Sequence, residues 1–122
     1  MKFVVCPICD QVYAKVVDHG TRVMCCNHST EDIIKNNQKE QSEEHRPLIR
    51  KIGNFVTVTV GPNHPMIETH FISAIFLETS LGFQYKNIAS KDEAKAEFIL
   101  ANDEEIINVY TYCNVHLLHS LH

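Results

Sequence analysis

Five cysteines and eight histidines in 122 residues are the part of this sequence that can do chemistry. Cys6-Pro7-Ile8-Cys9 is followed, fifteen residues on, by the adjacent pair Cys25-Cys26. Four thiolates from two short turns make a tetrahedral all-sulfur metal site. The two-residue spacer lets both sulfurs of the first turn face one ion. Adjacent cysteine side chains diverge, so Cys25 and Cys26 need a sharply bent backbone, and strain is expected at that edge. All-sulfur ligation suits zinc or a single iron and does not choose between them. Four thiolates around ferric iron leave one net negative charge, and around ferrous iron two, so an iron centre of this kind exchanges one electron. A thioredoxin-like redox pair would need a βαβ context that is missing here.

The second constellation lies further along. Cys113-Asn114-Val115-His116 is a Cys-x-x-His pair, His64-Pro65-Met66 follows a Gly-Pro turn, His70 lies six residues beyond His64, and His45 precedes Pro47. These histidines fall at turns or strand ends, where one rim of loops could gather them. A ferrous ion with four neutral imidazoles and one thiolate has one net positive charge. Five ligands leave a sixth position for a small anion. His19, His28, His119 and His122 read as surface or hydrogen-bonded residues. The steps of three from His116 to His119 and His122 would also suit a helical tail.

Positioning these ligands requires short strands. Residues 2–5, 11–17 and 21–24 are β-like, with Asp18-His19-Gly20 as a turn. So few residues cannot bury a useful core alone, and the cysteines supply the staple. Residues 30–34 suggest one short helical turn, and residues 35–44 carry no apolar residue and read as linker and loop. Beyond Arg46 the pattern is all-β: residues 55–60, 68–78, 83–85, 94–100 and 106–112 are strand-like runs separated by turn signals, which suggests a sandwich. The expected division is a metal-bound domain over 1–34, a linker and active-site loop over 35–44, and a sandwich over 45–122.

Composition sets limits. Hydrophobic residues make up 44% and charged residues 21%, as in globular proteins. The net charge of −4 argues against nucleic acid as a partner. No apolar run is long enough for a membrane helix, and the N-terminal residues do not read as a secretion signal. The expected compartment is the reducing cytoplasm, where clustered cysteines serve as metal ligands before they form disulfides.

Taken together, the motifs resemble those of the superoxide reductases, specifically the two-iron desulfoferrodoxin type. The four cysteines resemble its desulforedoxin-like domain. Glu43-Glu44-His45-Arg46-Pro47 resembles its Glu-Lys-His-x-Pro loop, His64-Pro65-Met66 with His70 its His-Pro-Met…His segment, and residues 113–116 its Cys-Asn-x-His ending. The resemblance implies an immunoglobulin-like sandwich and a homodimer. It implies a catalytic iron with His45, His64, His70 and His116 in a plane and Cys113 axial, and a second iron or zinc on Cys6, Cys9, Cys25 and Cys26. It implies that Glu43 can take the sixth position of the oxidised iron. The activity implied is one-electron reduction of superoxide to hydrogen peroxide, with a rubredoxin-like protein as electron donor and the peptide N–H groups of Asn114 and Val115 tuning the Cys113 sulfur. The sequence departs from the pattern in four places. Glu44 stands where the family has a lysine, with Arg46, Arg50 and Lys51 as candidates to compensate. Asp10 and Asn27 stand where glycine is usual after each cysteine pair, and both types tolerate left-handed backbone. Leu117-Leu118-His119 stands where a tryptophan is usual. A zinc-binding interaction module and a simple electron carrier are the competing readings. The module does not account for His64, His70, Cys113 and His116 occurring together, the carrier takes the second site as degenerate, and metal content separates all three.

Overall fold

In a computed structural model, the described residues are 2–33, 46–61 and 64–121, with the backbone of 36–37. The chain divides into two compact units, Met1–Ile34 and Lys35–His122. Among the described residues there are strands and turns but no α-helix, and none long and apolar enough to cross a membrane.

The first unit is built on β1 (Lys2–Val5), which pairs antiparallel with β2 (Val12–Lys15) on one side and β5 (Glu31–Asp32) on the other. A short ladder joins β3 (Met24–Cys25) to β4 (His28–Ser29). Phe3, Val4, Cys6 and Ile33 are its buried apolar residues. The Asp18-His19-Gly20 turn is closed by the Asp18 carboxylate, which accepts the Gly20 N–H at 2.8 Å. Gly20 has the positive φ of 79° that glycine adopts freely. The helical turn expected over 30–34 is not what forms: Val4 pairs with Asp32 and Val5 with Glu31. Five residues lose more entropy in nucleating a helix than one bond returns, whereas pairing satisfies the second edge of β1 at once.

The second unit is a β-sandwich. One sheet runs β10-β9-β12-β13-β6, from β6 (Asn36–Asn37), β9 (Ile72–Thr79), β10 (Gly82–Asn87), β12 (Ile106–Cys113) and β13 (Leu117–Ser120). The other runs β11-β8-β7, from β7 (Pro47–Ile52), β8 (Phe55–Val60) and β11 (Lys95–Ile99). Alternation in β8 turns Val56, Val58 and Val60 inward, where they meet Phe98, Ile75, Leu77 and Val109. Two irregularities interrupt the β12–β9 ladder, one near each end. The one near Cys113 skips Ser73, so that Tyr112 pairs with Ala74 but Cys113 with Ile72. Such a bulge re-aims side chains at the end of a ladder. Here it puts Ile72 and Cys113 together in the core cluster.

Candidate metal centres

In the first unit, Cys6 follows β1, Cys9 lies in the turn to β2, Cys25 ends β3, and Cys26 begins the turn to β4. The Cys6 N–H donates to the Gln11 carbonyl at 2.9 Å, and the Asp10 N–H to the Cys6 carbonyl at 3.0 Å, which closes the first turn. Asp10 takes φ 65°, and the second turn runs through Cys26 at φ 53° and Asn27 at φ 58°. Asp and Asn carry that conformation readily and cysteine does not, so the strain expected of adjacent cysteines sits at Cys26.

The four sulfurs lie within 4.8 Å of one another. Cys9 Sγ is 3.8 Å from Cys25 Sγ, and Cys25 Sγ is 4.0 Å from Cys26 Sγ. A tetrahedron with metal–sulfur arms of about 2.3 Å has edges of about 3.8 Å. The donor set therefore fits one ion. Peptide N–H groups converge on Cys6: that of Cys9 does most to bring its thiol down to about 7, and that of Ile8 lies 3.4 Å from its sulfur. Crowding acts the other way on Cys26, which is pushed up to about 12 by its interactions with Cys9 and then Cys25. A cation at the centre relieves that crowding. The Tyr13 hydroxyl donates to Cys25 Sγ at 3.1 Å, and this bond above all raises the phenol to about 12.

In the second unit, β12 delivers Cys113 and a three-residue turn to β13 delivers His116. Cys113 pairs with Leu117 across that turn, and Leu117 takes φ 65° to close it. His70 stands at the end of a tight loop in which Ile67 and His70 exchange both backbone hydrogen bonds at 3.1 Å. The His64 N–H donates to the Gly61 carbonyl at 3.1 Å. His64 Nδ1 lies 2.7 Å from the Pro65 carbonyl, so Nδ1 carries the proton and Nε2 keeps its lone pair for a metal.

The ligand atoms of His64, His70, Cys113 and His116 all lie within 4.8 Å of one another. His116 Nδ1 is 3.2 Å from His70 Nε2 and 3.6 Å from Cys113 Sγ. Nitrogens at right angles on arms of about 2.1 Å are about 3.0 Å apart, and opposite ones about 4.2 Å. The three imidazole planes are steeply inclined to one another, by 65° to 87°. Cys113 and His64 are buried, His70 is half-buried and His116 is exposed. The cluster thus runs from the core to the surface. His45 and Glu43 lie outside the described residues.

Sequence reasoning missed the Asn114 side chain. Its Oδ1 accepts the Phe71 N–H at 2.8 Å and its Nδ2 donates to the Thr69 carbonyl at 3.1 Å. The expectation that the Asn114 N–H serves the Cys113 sulfur needs correcting, because that N–H donates to the Phe71 carbonyl at 3.2 Å. His119 is not in a helical tail: it lies in β13 and is buried, and burial holds its imidazole below the usual range despite a bond to the His116 backbone.

A sandwich that gathers three imidazoles and a thiolate at one end, in a chain that also carries a four-thiol unit, defines a non-haem metalloprotein with two metal centres. The desulfoferrodoxin family profile matches residues 37–121. A desulfoferrodoxin homolog from Archaeoglobus fulgidus is 31% identical over 91% of this chain and 88% of its own length. The desulfoferrodoxin of Nitratidesulfovibrio vulgaris is 31% identical over 91% and 87%. The crystal structure of the superoxide reductase from Treponema pallidum superposes with a TM-score of 0.79 over 98% of this chain and 97% of that one, a likeness of fold at 24% identity. A superoxide reductase from Giardia intestinalis matches 65% of this chain and 95% of its own, with a TM-score of 0.54 and 27% identity. The chain belongs to the desulfoferrodoxin family.

Proposed function

We propose that this protein is a superoxide reductase of the two-iron type, which takes superoxide, one electron and two protons to hydrogen peroxide. The observation that carries this reading is the convergence of His64, His70, His116 and Cys113 within 4.8 Å in a family member. Iron bound there supplies the single electron and the positive charge that attracts the anion.

The chain's own residues do the rest. Three neutral imidazoles and one thiolate leave a ferrous ion with net positive charge, and His45 adds a fourth neutral donor without changing it. Cys113, anchored in the core at 0% exposure, presents an electron-rich sulfur from the buried side. A small anion would enter on the side away from the buried Cys113, at the position the five donors leave free. Glu43 would supply the carboxylate for the oxidised centre. With Glu44 in place of a lysine, solvent provides the protons. The four-cysteine unit over 1–34 holds the second iron and the sandwich is the catalytic unit, with Asn36–Asn37 paired into its larger sheet where the sequence suggested linker. A rubredoxin-like protein returns the electron, and the protein works as a homodimer in the cytoplasm.

The test is rapid mixing of the reduced, iron-loaded protein with superoxide. Peroxide is expected without stoichiometric oxygen. Oxygen released at one molecule per two superoxides would mean dismutation and would overturn the reading. Metal analysis is expected to find iron in both centres, whereas zinc in the cysteine site alone would favour an interaction module.

A further inference from the structure

Among the described residues, the four-sulfur unit has one side-chain hydrogen-bond donor that belongs to neither chelating turn. Tyr13 lies within β2, half-buried, and its hydroxyl reaches across to Cys25 Sγ at 3.1 Å. The first turn serves its own sulfurs by backbone N–H groups, as Ile8 does for Cys6. Those donors come with the turn and cannot be varied without breaking it. The Tyr13 bond comes from a side chain four positions beyond Cys9, so its presence is an independent choice of the sequence.

Its physical consequence follows from charge. An external one-electron donor converts ferric to ferrous iron, and the net charge on the four-thiolate ion goes from one negative to two. No ligand bond breaks and no proton moves in that change. A hydrogen bond to an ionised acceptor strengthens as the acceptor gains charge, and hydrogen bonds to the sulfurs are among the determinants of potential in iron–thiolate centres. We propose that Tyr13 is a positioning residue for the four-cysteine centre, whose hydroxyl stabilises the Cys25 thiolate more in the ferrous than in the ferric state and so raises the centre's reduction potential. This rests on iron occupying Cys6, Cys9, Cys25 and Cys26.

The substitution Tyr13→Phe keeps the ring and removes only the donor. Full-length, iron-loaded protein is titrated with dithionite in the presence of redox mediators, following the sulfur-to-iron charge-transfer absorption. The same pair of proteins in a Cys113→Ser background identifies the bands that belong to the four-cysteine centre. The expected result is an equilibrium constant for reduction about tenfold lower in Tyr13→Phe, a fall of about 59 mV for a one-electron couple. Its charge-transfer band moves to longer wavelength at unchanged iron content. A midpoint and band equal to those of the parent overturn the proposal while leaving iron in the site. A variant that loses the ion overturns it in favour of a purely structural tyrosine. Absence of the band in the parent protein itself defeats the iron reading, and the proposal with it.

Discussion

Asn114 holds His70 by both of its neighbours: the side-chain oxygen takes the Phe71 N–H at 2.8 Å, and the side-chain nitrogen gives to the Thr69 carbonyl at 3.1 Å. A residue next to one ligand, Cys113, thereby fixes the loop that carries another, across 44 positions of sequence from His70 to Asn114. Replacement by alanine removes two hydrogen bonds, each worth about 0.5–1.5 kcal/mol net. Asn114→Ala should therefore lower stability by about 1–3 kcal/mol in urea titrations. Loss of such supporting contacts lowers metal affinity about 10–100-fold, and competition with a chelator of known affinity should show this for the sandwich site only.

The ligands themselves should be less forgiving. His70 Nε2 and His116 Nδ1 lie 3.2 Å apart, with Cys113 Sγ 3.6 Å from the latter. His116→Ala leaves an exposed gap in the donor set with little cost to the core, since His116 is exposed. Iron in the sandwich should be lost and superoxide reduction should fall by more than the about 100-fold that outer contacts cost. The four-cysteine absorption is expected to persist. Retained activity in that variant would remove His116 from the ligand set.

Much of this site was readable before the fold because ligand chemistry constrains residue type and spacing. Cys6-x-x-Cys9 and Cys113-x-x-His116 are chelates in any fold that bends there. What could not be read was long-range geometry. Nothing local in residues 69–71 says that Asn114 will hold them, and nothing in residues 25–26 announces a phenol from β2. The strands over 55–60 and 106–112 followed from β-branched runs. Pro47–Ile52 and Leu117–Ser120 did not, because charge in the first and evenly spaced histidines in the second disguise the alternation. The skip at Ser73 that aligns Ile72 with Cys113 has no sequence signal, since bulges are decided by the partner strand.

Metal should be a condition of folding for the first unit. Among its described residues the buried apolar ones are Phe3, Val4, Cys6 and Ile33, too few to offset the ordering of some thirty residues. Structural tetrahedral sites contribute folding energy outright. In Cys26→Ser, or after chelation, amide signals of residues 2–33 should collapse to random-coil shifts. Those of the sandwich core, such as Val56, Leu77 and Val109, should stay dispersed.

Acid stability should carry the signature of Glu104. Its carboxylate accepts the Thr79 hydroxyl and, at 2.8 Å, the Ala101 N–H, and the Thr79 bond chiefly holds it below the usual glutamate range. A carboxyl whose folded value is lowered stabilises the native state above its unfolded value of about 4.3, and that contribution is lost as pH falls through the folded value. Glu104→Gln keeps the shape and removes the titration. Urea midpoints between about pH 6 and pH 3 should fall less steeply in the variant than in the parent.

The charge beside His45 offers a kinetic test that needs no change in the ligands. Superoxide is an anion, the chain carries −4, and Glu44 adds a carboxylate immediately before a proposed ligand. Charge at the mouth of a site alters encounter rates by about tenfold or more, within a screening length of about 8 Å at physiological salt. Glu44→Lys changes the local charge by two units and should raise the second-order rate with superoxide several-fold at low ionic strength, measured by pulse radiolysis. The gain should shrink as salt is added, because screening acts on the attraction and not on the chemistry. A rate that stays the same at every ionic strength would mean that other cations, Arg46, Arg50 or Lys51, already set the field the anion meets.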